Sequence, residues 1–147
     1  MLEKQINQDI KESILRHQSE KLEALRFIKT AIQVEKAKNG LELLTDEQVI
    51  KVVQKLVSQS NESALQYENG NRSDLAEHEK VMIDMYNTYL PEQLSIDQIT
   101  EKITEIITEL GAITIRDMGK VMKKCTEVFA GTADNKTIGS IVKTKLS

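Results

Sequence analysis

Arg116, Lys120, Lys123 and Lys124 are the residues of this chain whose type and spacing could act together chemically. At about 100° per helical residue they cover roughly a 100° arc, opposite Met118, Val121, Met122, Cys125, Val128 and Phe129. Clustered lysine and arginine side chains displace counterions and hold phosphates, so this arc is a candidate RNA contact. Lys136 and Lys143, on the next expected helix, extend the candidate set. Glu127 intrudes on the basic side. The same arc would also serve as the solvated face that any surface helix needs, and spacing alone leaves both uses open. No aromatic residue interleaves with these lysines, so a nucleic-acid contact here would address backbone and shape rather than stacked bases.

Other chemistries find less support. Cys125 is the single cysteine, which excludes an internal disulfide and a multi-cysteine metal site, and its helical spacing places it on the apolar face as a packing thiol. His17 and His78 have no His or Cys neighbour at metal-ligand spacing. Glu101, Glu105 and Glu109 recur every fourth residue, but away from Ile99, Ile103 and Ile106, which makes them a solvated acidic stripe rather than an acid/base pair. Gly111, Gly119, Gly131 and Gly139 are scattered and form no phosphate loop. The expectation is a protein with no catalytic residue, no metal and no cofactor.

Composition suits a helical globular protein. The 147 residues are 39% hydrophobic, 29% charged and 3% aromatic without tryptophan, a mix that suits helices packed on helices. From Ala112 to the end the net charge is +4 and over the remainder it is −7, giving the overall −3. With a pI near 5.5 the chain lacks the profile of a dedicated nucleic-acid binder, and DNA is not an expected partner. No segment approaches the roughly 20 apolar residues of a bilayer span, so a cytoplasmic protein without membrane contact is expected.

The elements that must position the basic arc follow from periodicity and punctuation. Ile6, Ile10 and Ile14, then Leu22, Leu25, Ile28 and Ile32, predict two helices separated near His17-Gln18-Ser19, the second stopped by Asn39-Gly40. Thr45-x-x-Gln48 is a capping box that opens a run through Val49, Val52, Val53, Leu56 and Leu65 to Asn69-Gly70. A helix capped by Ser73, with Val81, Met82, Met85, Tyr89 and Leu90 as its apolar side, must end near Leu90, because Pro91 is the only proline and disfavours the helical region before it. Ser95-x-x-Gln98 then opens a helix from about Ile96 to Leu110, with Ile99, Ile103, Ile106, Ile107 and Leu110 inward and Gly111 at its end. Thr114 begins the next helix and Gly131 closes it. Asp134 caps the last, which carries Ile138, Ile141 and Val142. The predicted architecture is all-α: a helical N-terminal domain over residues 1–92 and a small three-helix domain over 93–147. Gly119 within a helix costs about 1 kcal/mol relative to alanine, which suits a position that another helix or a ligand backbone approaches closely, packing being the reading favoured here.

Several of these residues also carry a family resemblance. Arg72-Ser-Asp74-Leu75, Glu79, Tyr89-Leu90-Pro91-Glu92-Gln93-Leu94-Ser95, Asp117-Met118-Gly119-Lys120-Val121-Met122 and Gly131-x-Ala133-Asp134 resemble the YqeY family nearly end to end. That family is similar to the C-terminal tail of GatB, the B subunit of the glutamine-dependent aspartyl/glutamyl-tRNA amidotransferase. The resemblance implies a helical domain joined to a three-helix domain, and a role in contacting tRNA, an amidotransferase or another translation-related protein. It leaves three readings in view: a non-catalytic tRNA-related binding module, a protein-interaction adaptor, and an accessory to carbon–nitrogen ligation with glutamine as amide donor, for which this sequence offers no nucleophile. The chain departs from the family pattern at Thr132 and Asn135, where arginine and glycine are usual, at Ser58-Gln59-Ser60, where a basic Lys-Gln-Arg triplet is common, and at Met82, where an acidic residue is frequent.

Overall fold

The computed structural model describes all 147 residues, as seven α-helices and one 3₁₀ turn with no strand. It divides into two compact units, Met1–Pro91 and Glu92–Ser147. No helix is long and apolar enough to cross a membrane.

The first unit contains α1 (Leu2–Leu15), α2 (Ser19–Asn39), α3 (Asp46–Asn69) and α4 (Ser73–Asn87). Its turns are built from backbone bonds around left-handed residues. His17 (φ 53°), Gly40 (φ 64°) and Asn71 (φ 58°) follow α1, α2 and α3, and the next N–H reaches back to Ser13, Lys36 and Tyr67 respectively. The turn from Asn69 to Ser73 is so short that α3 and α4 form a helical hairpin. Thr45 and Gln48 exchange the reciprocal bonds of a capping box at the start of α3. Ile6, Leu25, Ile28, Ile32, Leu44, Val49, Val53, Met82 and Tyr86 form the core. One charge is buried in this unit: Glu3 pairs with Lys36 and accepts from the Leu44 N–H at 3.0 Å.

The second unit contains α5 (Ile96–Leu110), a 3₁₀ turn (Ile115–Asp117), α6 (Met118–Phe129) and α7 (Asn135–Leu146). Ser95 and Gln98 form the second capping box, Gly111 ends α5 in the left-handed region, and Asp134 caps α7 through the Lys136 N–H. The segment before α5 is tied to the α6–α7 loop, with Leu94 N–H on the Thr132 carbonyl at 2.9 Å and the Gln93 amide on the Gly131 carbonyl at 2.9 Å. Ile99, Ile103 and Ile106, Val121, Cys125 and Phe129, and Ile138, Val142 and Leu146 fill the core, three residues from each helix at helical spacing.

Four local expectations are corrected. Ser73 does not cap α4: it is the first helical residue, because the Arg72 N–H already closes the preceding turn onto Tyr67, and the Arg72 guanidinium pairs with Asp74 at 3.1 Å. Thr114 does not start α6, which begins at Met118; Asp117 Oδ2 takes the Ile113 and Thr114 N–H groups and closes a separate 3₁₀ turn. The left-handed cap of α6 is Ala130 (φ 41°), with Gly131 (φ 87°) one residue later. Ile14, Leu65, Leu110 and Val128 are exposed rather than inward, each in the C-terminal part of its helix and off the face that carries the buried residues.

Candidate nucleic-acid interface

The basic residues are positioned by the way α6 uses its three-residue core stripe. With Val121, Cys125 and Phe129 buried, Lys120 and Lys123 project to solvent and Lys124 is half-buried. These three side chains, on adjacent turns, have no ion pair and no hydrogen bond. Glu127, one turn on, is exposed and likewise makes no ion pair, so it lowers the local potential without tying down a lysine. Arg116 is exposed too, but it belongs to the 3₁₀ turn, and the 100° spacing that joined it to the α6 lysines does not extend to it.

Asp117, one turn before Lys120, is already engaged. The Ile113 and Thr114 N–H groups at 3.0 and 3.3 Å hold its carboxyl below the usual carboxylate range, and the nearby Lys120 charge adds to this. Its charge is directed chiefly to the turn that delivers the chain into α6, and it forms no ion pair with Lys120.

Lys136 and Lys143 do not join this group. A methyl placed on Gly139 would sit 3.8 Å from Met122 Cε, so Gly139 marks the flank of α7 that faces α6. Lys136 and Lys143 project on that flank, whereas Lys120 and Lys124 lie on the side of α6 away from Met122. The six candidate residues are therefore a three-lysine stripe, one arginine on the preceding turn, and two separate lysines on α7. Charge in the unit is also segregated by element. Glu92–Ser147 holds eight acidic and eight basic residues, with five of the acids on or before α5 and seven of the bases from Arg116 onward. The unit is dipolar, and a polyanion would meet attraction on the α6–α7 side and repulsion from α5.

Cys125 lies at 0% exposure inside this unit, and burial pushes its thiol pKa up, the opposite of what an activated nucleophile requires. Glu101, Glu105 and Glu109 stand in solvent along α5. No group of His, Cys, Asp and Glu side chains is arranged to hold a metal ion. Gly119 is exposed, in the first turn of α6, and a methyl there would meet nothing within 4 Å, so packing inside the protein does not account for it. Two features escaped sequence reasoning: the Asp117 reciprocal cap, legible in Thr114-x-x-Asp117, and the Lys102 ammonium 6.0 Å from the Phe129 ring centre.

The family model described as Yqey-like protein matches residues 3–146. A comparison with curated proteins finds no match.

Proposed function

Since this chain belongs to the Yqey-like protein family, we propose that it is a non-catalytic, tRNA-related binding module of the cytoplasm that contacts RNA phosphates through α6. The observation that carries this reading is the stripe of Lys120, Lys123 and Lys124, three cationic side chains on adjacent turns without an ion pair or hydrogen bond, beside an acid held chiefly by backbone N–H groups. Arg116 extends the stripe toward the preceding turn, and Lys136 and Lys143 offer secondary contacts. With eight charges of each sign in the unit, affinity is expected to be modest and strongly salt-dependent. Resemblance to the tail of the amidotransferase B subunit supports tRNA as the RNA class, and the absence of an accessible nucleophile at Cys125 favours binding over glutamine chemistry. The deciding experiment is tRNA binding by the wild type and by Lys120→Gln/Lys123→Gln/Lys124→Gln across a range of salt concentrations.

A second reading, an adaptor for an amidotransferase or another translation protein, is favoured by Phe27, which stands 51% exposed on α2 between two clefts of the first unit. Co-purification with a protein partner that survives Lys120→Gln/Lys123→Gln/Lys124→Gln and is lost in Phe27→Ala would favour it.

A further inference from the structure

Three helices of the Met1–Pro91 unit open a cleft of about 230 Å³ whose walls are set by helical spacing. Glu23 and Phe27 face it from α2, Ser60 and Ser63 from α3, and Glu79 and Tyr86 from α4, each pair three, four or seven residues apart and so on one face of its helix. Met82, between Glu79 and Tyr86, is 2% exposed and supplies apolar wall.

Tyr86 is the unusual member. It is 3% exposed, it lines the cleft, and its hydroxyl makes no hydrogen bond, whereas the Tyr89 hydroxyl, one turn on, donates to Asp9 at 2.6 Å. The side chain is buried but its hydroxyl is not sealed from solvent, Ser13 Oγ being the buried side-chain atom without a partner, so on the cleft wall it is available to a bound donor or acceptor. Burial, followed by the charges of Glu79 and Glu23, pushes the phenol up to about 12, so both carboxylates bear on it without bonding to it. One oxygen of Glu23 lies 3.1 Å from His78 Nε2. Glu79, half-buried, has no ion pair, because Lys80 beside it engages Glu68 and Glu77. Arg26, a turn from Glu23, lines the adjoining cleft instead.

From this convergence of two carboxylates, a tyrosine hydroxyl with no protein partner and a half-exposed aromatic ring, we infer that the cleft binds an organic cation: an alkyl ammonium or guanidinium group that carries N–H donors. Carboxylates exclude anions. A bare metal ion is disfavoured because the donors do not converge at ligand geometry. An alkyl stem has Met82 and Phe27 to lie on, and the Phe27 ring face can attract the charge. N–H groups can donate to Glu79 and to the Tyr86 oxygen at once. The cation could be a free polyamine or the side chain of a basic residue on a partner, and both offer the same chemistry.

The test is titration of the full chain, followed by backbone amide NMR shifts and calorimetry, with n-butylammonium, n-butylguanidinium, spermidine and Nα-acetyl-arginine amide. Saturable binding is expected, with shifts centred on Glu23, Glu79 and Tyr86, and 1-pentanol and butyrate should not bind. Glu79→Gln is expected to weaken binding about tenfold or more, the size of a hydrogen bond to a charged group, and Tyr86→Phe severalfold. Circular dichroism verifies that both variants remain folded, and Glu101→Gln/Glu105→Gln should bind as the wild type does. Spermidine binding most tightly would identify a free polyamine as the source; acetyl-arginine amide binding most tightly would identify a partner side chain. Absence of saturable binding by all four cations, or equal loss in Glu79→Gln and the Glu101/Glu105 control, overturns the assignment.

Discussion

The Tyr89 hydroxyl, just past the end of α4, donates to Asp9 Oδ2 on α1 across 2.6 Å, joining residues eighty positions apart in the chain. Burial first, and then the bond to Asp9 and its charge, raise the phenol pKa far above the ordinary value near 10. The neutral phenol is the form the fold holds, so this contribution is complete below about pH 10, the unfolded pKa, and is lost as pH rises toward the folded one. Tyr89→Phe is expected to lower stability by about 1–2 kcal/mol at neutral pH, the range for a hydrogen bond to a charged group that can partly rehydrate. Melting curves between pH 8 and 11 check the sign. The variant should lose less stability across that range than the wild type, and parallel losses would contradict the linkage.

Glu3 provides the acid counterpart. Burial raises its pKa, but the Lys36 hydrogen bond, the Leu44 N–H and the Lys36 charge together outweigh this and hold the carboxyl below its usual value. A depressed carboxyl contributes stability above the unfolded pKa and loses it as pH falls through the folded one, so the N-terminal unit should weaken below about pH 4. Glu3→Ala is expected to cost about 2 kcal/mol at pH 7, less than the roughly 3–5 kcal/mol for breaking a fully buried pair. The Lys36 side chain keeps 22% exposure and can turn to water. Chemical denaturation at pH 7 and pH 3.5 measures this, and the difference between wild type and variant should shrink at the lower pH.

Element by element, the helices were legible because their signals are local. Both capping boxes, the left-handed stops at Gly40 and Gly111, and the Asp134 cap each depend on three or four consecutive residues. Serine at position 73 carried the same type of signal and misled, since whether it lies outside the helix depends on where the Arg72 N–H goes, and that bond is made to Tyr67 in the helix before. Arg116 was misplaced for a related reason: a 3₁₀ turn and an α-helix differ only in whether N–H groups reach three or four residues back, and here the Asp117 N–H closes onto Thr114 while its carboxylate takes the Ile113 and Thr114 N–H groups. The α2–α3–α4 cleft was not legible. Glu23, Ser63 and Tyr86 come from three helices, and nothing in their sequence neighbourhoods says that they meet.

The lysine stripe makes a quantitative demand. If Lys120, Lys123 and Lys124 each meet a phosphate, changing all three to glutamine should flatten the log–log dependence of tRNA binding on salt by about 0.7 to 0.9 per lost contact. The fold should be retained, since Lys120 and Lys123 are exposed, where substitutions usually cost within about 0.5 kcal/mol, and glutamine keeps part of the aliphatic stem of half-buried Lys124. Glu101→Gln/Glu105→Gln, on α5, should leave the slope unchanged. An unaltered slope in the triple variant would leave the stripe as a solvated face and move the adaptor reading forward.

Gly119 separates stability from binding at a single position. Its backbone is not left-handed and a methyl would meet nothing within 4 Å, so the fold gives no reason for glycine there. Gly119→Ala should therefore stabilise the protein by about 0.5 kcal/mol, through the entropy the unfolded chain no longer gains. A phosphate backbone approaching the first turn of α6 beside Lys120 would meet that methyl directly. The variant is accordingly expected to melt at a higher temperature and yet bind tRNA several times more weakly at fixed salt, with the salt slope nearly unchanged because no charge is removed. The lysine variant should do the reverse, leaving melting alone and changing the slope. A Gly119→Ala protein that is more stable and binds as the wild type does would place the RNA elsewhere on the surface.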